Sequence, residues 1–148
     1  MDTAYADTNI YLDWFERRSG RKFLYSQAED AQTFFNSVEE GKYKLATSDH
    51  LVHQLSAHLS RYDDYIANLD RKSLHIHVIC EPADKKKADE EAVLNRTEYE
   101  DALHFVLAMK AGAKVIVTQD EPHFACFRNR IMVASPRMLT LLPNFWQC

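Results

Sequence analysis

The sequence predicts an α/β fold: a central, mainly parallel sheet of four or five strands, sandwiched between helices on both faces. Three observations lead there. Short apolar or β-branched runs alternate with longer helical patterns along the chain. The run KVIVT, residues 114–118, is apolar in succession rather than in alternation, as befits a parallel strand covered on both faces and central in its sheet. Just before it, TEYEDALHFVLAMKAGAK reads as a helix, with Thr97 and Glu100 at capping-box spacing and Gly112 at its end.

In chain order, residues 3–6 form the first strand, and helical patterns follow near 8–18 and 28–40. The second strand is 44–47. After it, Ser48 opens a long helix near 49–70 with Leu51, Val52, Leu55 and Leu59 as its core positions. Residues 74–79 are the third strand. DKKKADEEA, within the helix near 84–94, reads as an exposed mixed-charge face. The helix near 98–111 leads into the fourth strand at 114–118, and 130–134 offers a fifth. Trp14, Phe15, Phe34, Phe35, Phe105 and Trp146 read as core aromatics rather than base-stacking platforms.

With 148 residues and no Pro, Gly or Ser cluster to mark a linker, the expectation is one domain, 1–148. Hydrophobic content of 46% and charged content of 27% are ordinary for a globular protein. No apolar run approaches the roughly 20 residues of a membrane span, and MDTAYADTNI has neither a basic leader nor a long apolar segment, so a cytoplasmic location is expected. Cys80, Cys126 and Cys148 are odd in number and widely spaced, which suits reduced thiols better than a disulfide framework or a zinc site. A formal charge of -4 argues against a general nucleic-acid coat, yet leaves room for an acidic metal pocket near local basic patches. Arg17, Arg18, Arg21 and Lys22 form one such patch, and Arg128 and Arg130 another; both read first as solvated surface.

Ligands of such a sheet bind at the carboxyl ends of its strands. Asp7 follows the first strand and Asp120 the fourth, while Asp101 stands in the first turn of the helix that returns to the fourth. All three carboxylates can reach one edge, where Ser48 also begins its helix and Gln54 lies two turns on. Asp7 has a plainer role available as a helix N-cap, and Asp120 as a turn residue. Three carboxylates gathered without compensation would cost several kcal/mol, so the convergence calls for cations. Oxygen ligands suit Mg²⁺ or Mn²⁺, and a pair of such ions can activate water on one side of a phosphodiester and steady the leaving oxygen on the other.

YADTNIYLDWF, TSDHLVHQL, YEDALHFVLAMKAGAKVIVTQDEPHF and IMVASPRML together resemble, in order and almost end to end, the PIN-domain ribonucleases, which include the virulence-associated protein C toxins. The resemblance implies a PIN-like α/β/α sandwich and a metal-dependent endoribonuclease using Mg²⁺ or Mn²⁺. Asp7, Asp101 and Asp120 would be the catalytic metal ligands, and Asn9, Ser48, His104, Thr118 and Gln54 their neighbours. It also implies RNA as substrate, an antitoxin as a partner and a homodimer as a possible assembly. One position departs. Where these proteins commonly have a glutamate, this chain has Gln54, an amide whose oxygen can coordinate but brings no charge. Asp49, Glu98 and Glu121 are nearby acids that would restore it.

The departure opens a second reading, a PIN-fold module that binds RNA or protein with weakened catalysis. A third, phosphotransfer of the haloacid dehalogenase type, wants an aspartate two residues after Asp7 and finds Asn9. Among the histidines, His104 shares a face with Asp101 and reads as a buried hydrogen-bonding group. His50, His53 and His58 read as surface or partly buried, and His75 and His77 as one exposed side of a strand.

Overall fold

The computed structural model describes residues 1–17 and 27–141. β1 (Thr3–Ala6) is followed by α1 (Thr8–Phe15) and α2 (Gln27–Glu39), and β2 (Lys44–Ser48) by α3 (Asp49–Gln54) and α4 (Leu59–Arg71). β3 (His75–Val78) leads to α5 (Pro82–Asn95) and α6 (Tyr99–Lys110), β4 (Val115–Val117) to the single turn α7 (Glu121–Phe124), and β5 (Met132–Ala134) to α8 (Pro136–Leu141). The five strands make one parallel sheet in the order β3-β2-β1-β4-β5, flanked by helices as the sequence predicts.

The pleat of β1 divides the core in two. Ala4 and Ala6 point into a cluster with Ile10, Tyr11, Phe34, Phe35, Leu45 and Leu51, built with α1 to α4 and α8. Tyr5 points the other way, into a cluster with Leu103, Phe105, Leu107, Ile116 and Phe127, built with α5 to α7. There the rings of Phe105 and Phe127 stack with centroids 4.0 Å apart. The small Ala4 and Ala6 occupy one face of β1, while the large Tyr5 fills the other. No helix among the described residues is long and apolar enough to cross a membrane.

The topology fixes where a crevice opens. From β1 the chain moves outward through β2 to β3, then crosses back to lay β4 and β5 on the other side. β1 is thus the switch point, where loops leaving the carboxyl ends part and leave a crevice. β4 is interior, paired on both sides, but β1 and not β4 is the central strand.

Other expectations needed correction. The helix read as continuous over 49–70 is broken: a 3₁₀ turn, Ser56–His58, separates α3 from α4. The Leu55 N–H is shared between Leu51 O and Val52 O, both at 3.1 Å, which tightens the backbone at the break. Leu51 and Leu55 are fully buried, but Leu59 starts the new helix 38% exposed and is no core residue. The capping box expected at Thr97 does not form: the N-cap of α6 is Glu98, and Thr97 Oγ1 donates instead to His123 O at 3.3 Å. A capping box stands one helix earlier, at Glu81 and Asp84, where Glu81 N–H donates to Asp84 Oδ2 at 2.9 Å. Gly112, just past the end of α6, has φ +73°, the left-handed conformation its place predicts. Arg18, Arg21, Lys22, Trp146 and Cys148 lie outside the described residues.

Candidate active site

A cleft of about 210 Å³ opens at the switch point, lined by Asp7, Thr8, Asn9, Gln54, Glu100, Asp101 and His104. α1, α3 and α6 meet here because each begins or ends at the carboxyl edge of the sheet. Asp7 is buried at 5% exposure and does two jobs. One oxygen caps α1, accepting from Ile10 N at 3.3 Å. The other accepts from Thr118 Oγ1 at 2.6 Å. Thr118, fully buried just past β4, also receives the Asp120 N–H on its hydroxyl at 2.9 Å. A single hydroxyl therefore ties the loop after β1 to the loop after β4, holding Asp7 and Asp120 as neighbours.

The electrostatics follow from that crowding. Burial pushes the Asp7 carboxyl up to about 7, although Thr118 and the Ile10 amide hold it down; the charges of Asp120 and Asp101 push it further up. Asp101 is also raised, first by burial and then by Glu98, Asp120 and Glu100, against the lowering effect of His123, whose Nδ1 stands 3.6 Å from Asp101 Oδ2. A buried carboxylate among like charges is what a hard divalent cation would relieve. The donors here are oxygen atoms of the class such ions prefer, so the chemistry fits Mg²⁺ or Mn²⁺. Among the described residues no group of three His, Cys, Asp or Glu side chains is already gathered around one point.

Behind the cleft runs a directed chain of hydrogen bonds. Gln54 Nε2 donates to Glu100 Oε2 at 3.1 Å, which orients the amide so that its oxygen faces inward. That oxygen accepts from Thr8 Oγ1 and, at 3.0 Å, from His104 Nε2. With its proton on Nε2, His104 accepts at Nδ1 from Tyr5 OH at 2.8 Å, and Tyr5 OH in turn accepts from Ser48 Oγ at 3.0 Å. Ser48 Oγ also caps α3 by accepting from Leu51 N at 3.1 Å. Burial, with the nearby His50, lowers His104 to about 3, so the ring is neutral, as this chain needs.

The structure thus gathers Asp7, Asn9, Gln54, Asp101 and His104 around one cleft, with Asp120 beside Asp7. Ser48 and Thr118 sit behind it as buried supports. None of the acids suggested as compensating for Gln54 lines it. Asp49 Oδ1 accepts from Cys80 N at 2.7 Å, Glu121 pairs with Arg128 at 3.1 Å, and Glu98 is the N-cap of α6. The acid that does line the cleft is Glu100. The sequence casts Glu100 as the capping-box partner of Thr97, and adjacent helical residues do not ordinarily share a face, so nothing local places it with Asp101 in the cleft.

The basic patches are engaged where they are described: Arg17 with Gln32, Arg128 with Glu121, and Arg130 with Glu91. His75 Nε2 and His77 Nδ1 both meet Thr47 Oγ1, at 2.6 and 2.9 Å, and His75 Nδ1 lies 2.8 Å from Asp70, so the pair forms a hydrogen-bonded edge on β3.

The sequence profile of the PIN domain matches residues 4–121. A solved toxin-antitoxin complex from Klebsiella pneumoniae contains a chain of similar fold, with TM-score 0.58 and 17% identity over 90% of this chain and 97% of that one. No curated protein sequence matches significantly.

Proposed function

This chain belongs to the PIN domain family, and from that premise we propose that it is an endoribonuclease dependent on Mg²⁺ or Mn²⁺. The observation that carries the reading is Asp7: a buried carboxyl raised to about 7, at the switch point of the sheet, with Asp101 and Asp120 close enough to raise it further. Asp7, Asp101 and Asp120 would hold the cation, which when bound supplies Lewis-acid activation of water and of the phosphodiester. The chain's own residues do the rest. Thr118 fixes Asp7 against Asp120, His123 shields Asp101, and exposed Asn9 offers its amide at the rim to the RNA backbone. We further propose, as the likeness to a toxin-antitoxin complex suggests, that the chain acts as a toxin held by an antitoxin protein.

That no three such side chains among the described residues are already gathered around one point favours a second reading, a binding module without cleavage. One experiment separates the two: single-stranded RNA is incubated with the protein in Mn²⁺ or in EDTA, and binding and cleavage are followed together. The nuclease reading expects cleavage in Mn²⁺ only. RNA bound in both conditions and never cut would replace it with the second reading.

A further inference from the structure

The amide at the back of the cleft has no oxygen to spare. A carbonyl oxygen offers two lone pairs, and Gln54 Oε1 already accepts from Thr8 Oγ1 and from His104 Nε2. To turn that oxygen onto a cation would break a chain that runs through His104 and Tyr5 to Ser48, whose members are almost wholly buried. The other end of the amide points outward, and its Nε2 donates to Glu100 Oε2 at 3.1 Å. His50 Nε2 stands 2.7 Å from the same oxygen. The Gln54 hydrogen bond thus holds Glu100 at the cleft that Asp7 and Asp101 also line.

We infer that Glu100 is a cation ligand of this site and that Gln54 is its positioning residue, not itself a ligand. Glu100 brings the negative charge that an amide at position 54 cannot. With it, Asp7, Glu100, Asp101 and Asp120 carry four formal charges, matching two divalent cations, where three carboxylates would fall one short. Rigid buried groups hold Gln54, Gln54 holds Glu100, and Glu100 stays exposed enough to meet an ion. The inference rests on the cleavage reading above and assigns a residue within it.

Calorimetric titration of the full chain with Mn²⁺ tests it, comparing wild type with Glu100→Gln, Gln54→Met and Asp101→Asn. Glu100→Gln keeps an oxygen for the Gln54 N–H, so in EDTA it should unfold cooperatively within a few degrees of wild type, any small rise reflecting relief of the repulsion on Asp101. Its Mn²⁺ affinity should fall about a hundredfold, and kcat for RNA should fall while KM holds. Gln54→Met, which loses the support and not the ligand, should cost about tenfold in affinity. Equal or greater damage from Gln54→Met would make Gln54 the ligand and overturn the inference. So would wild-type affinity in Glu100→Gln alongside lost affinity in Asp101→Asn, a result that would leave the cleavage reading intact. A wild type that binds no Mn²⁺ would remove both.

Discussion

Replacing Asp7 by Asn should stabilise the metal-free protein, and the pH dependence of that gain tests the account of the cleft. Raising the Asp7 carboxyl from 3.8 to about 7 makes its ionisation in the fold cost about 4 kcal/mol more than in the unfolded chain. Asn removes that cost. It can still cap α1, but its NH₂ cannot accept the Thr118 proton, and leaving that buried hydroxyl without its acceptor costs about 1–2 kcal/mol. The net gain is about 2–3 kcal/mol at pH 8.5, which for a chain of this size raises the melting temperature by roughly 5–10 °C. The sign follows from the raised value. The native state holds its proton more tightly than the unfolded chain, so the wild-type penalty is absent below 3.8, grows as pH rises and is complete above about 7. Thermal unfolding of wild type and Asp7→Asn in EDTA at pH 4.5 and 8.5 should therefore show a gain at the higher pH that largely disappears at the lower. Excess Mn²⁺ should then raise the melting temperature of wild type and not of the variant. An Asp7→Asn protein no more stable than wild type at pH 8.5, or equally stabilised at both pH values, would mean that the Asp7 carboxyl is not raised by its burial in the cleft.

Thr118→Val keeps the shape of a fully buried side chain but removes the hydroxyl bonded to both Asp7 and the Asp120 amide; denaturant unfolding should show a loss of about 1–3 kcal/mol and cleavage should fall at least as far as stability alone explains. Gln54→Glu would face Glu100 with a second carboxylate at the position of a 3.1 Å hydrogen bond, so its metal-free form should melt below wild type at pH 8 and recover toward it at pH 4.5. Asp84 closes the capping box of α5 and meets Lys110 of α6 at 2.7 Å; burial opposes its ionisation, but those bonds win and hold its carboxyl below the usual range. A lowered carboxyl contributes stability above its unfolded value and loses it as pH falls through the folded one. Asp84→Ala should accordingly cost about 1–2 kcal/mol at pH 7, with the difference from wild type shrinking in acid titrations below pH 4.

The order of strands and helices was legible because the sheet is parallel: its strands are short apolar runs separated by helices, and β4 announces itself as VIV. The carboxylates were legible for the same reason, since strand ends mark where a crevice forms. Details set by competition were not. The spacing of Leu51, Leu55 and Leu59 is helical throughout, and nothing local reveals that the backbone tightens at Leu55 and turns Leu59 outward. Thr97 has a capping residue's chemistry, but a tertiary acceptor, His123 O, takes its hydroxyl. Which way the Gln54 amide faces depends on His104 and Glu100, about fifty positions away, and so could be read only after folding. The consequence is substantive: the amide that looked like a missing charge is a support for the charge beside it.

Whether this cleft cuts RNA with a bound divalent cation is decided by comparing wild type with Asp101→Asn on labelled single-stranded RNA in Mn²⁺, with thermal unfolding measured on the same samples. Wild type should cleave, Asp101→Asn should not, and their melting temperatures should lie within a few degrees of each other. Cleavage that survives unchanged in a folded Asp101→Asn protein would mean that this cleft does not cut RNA.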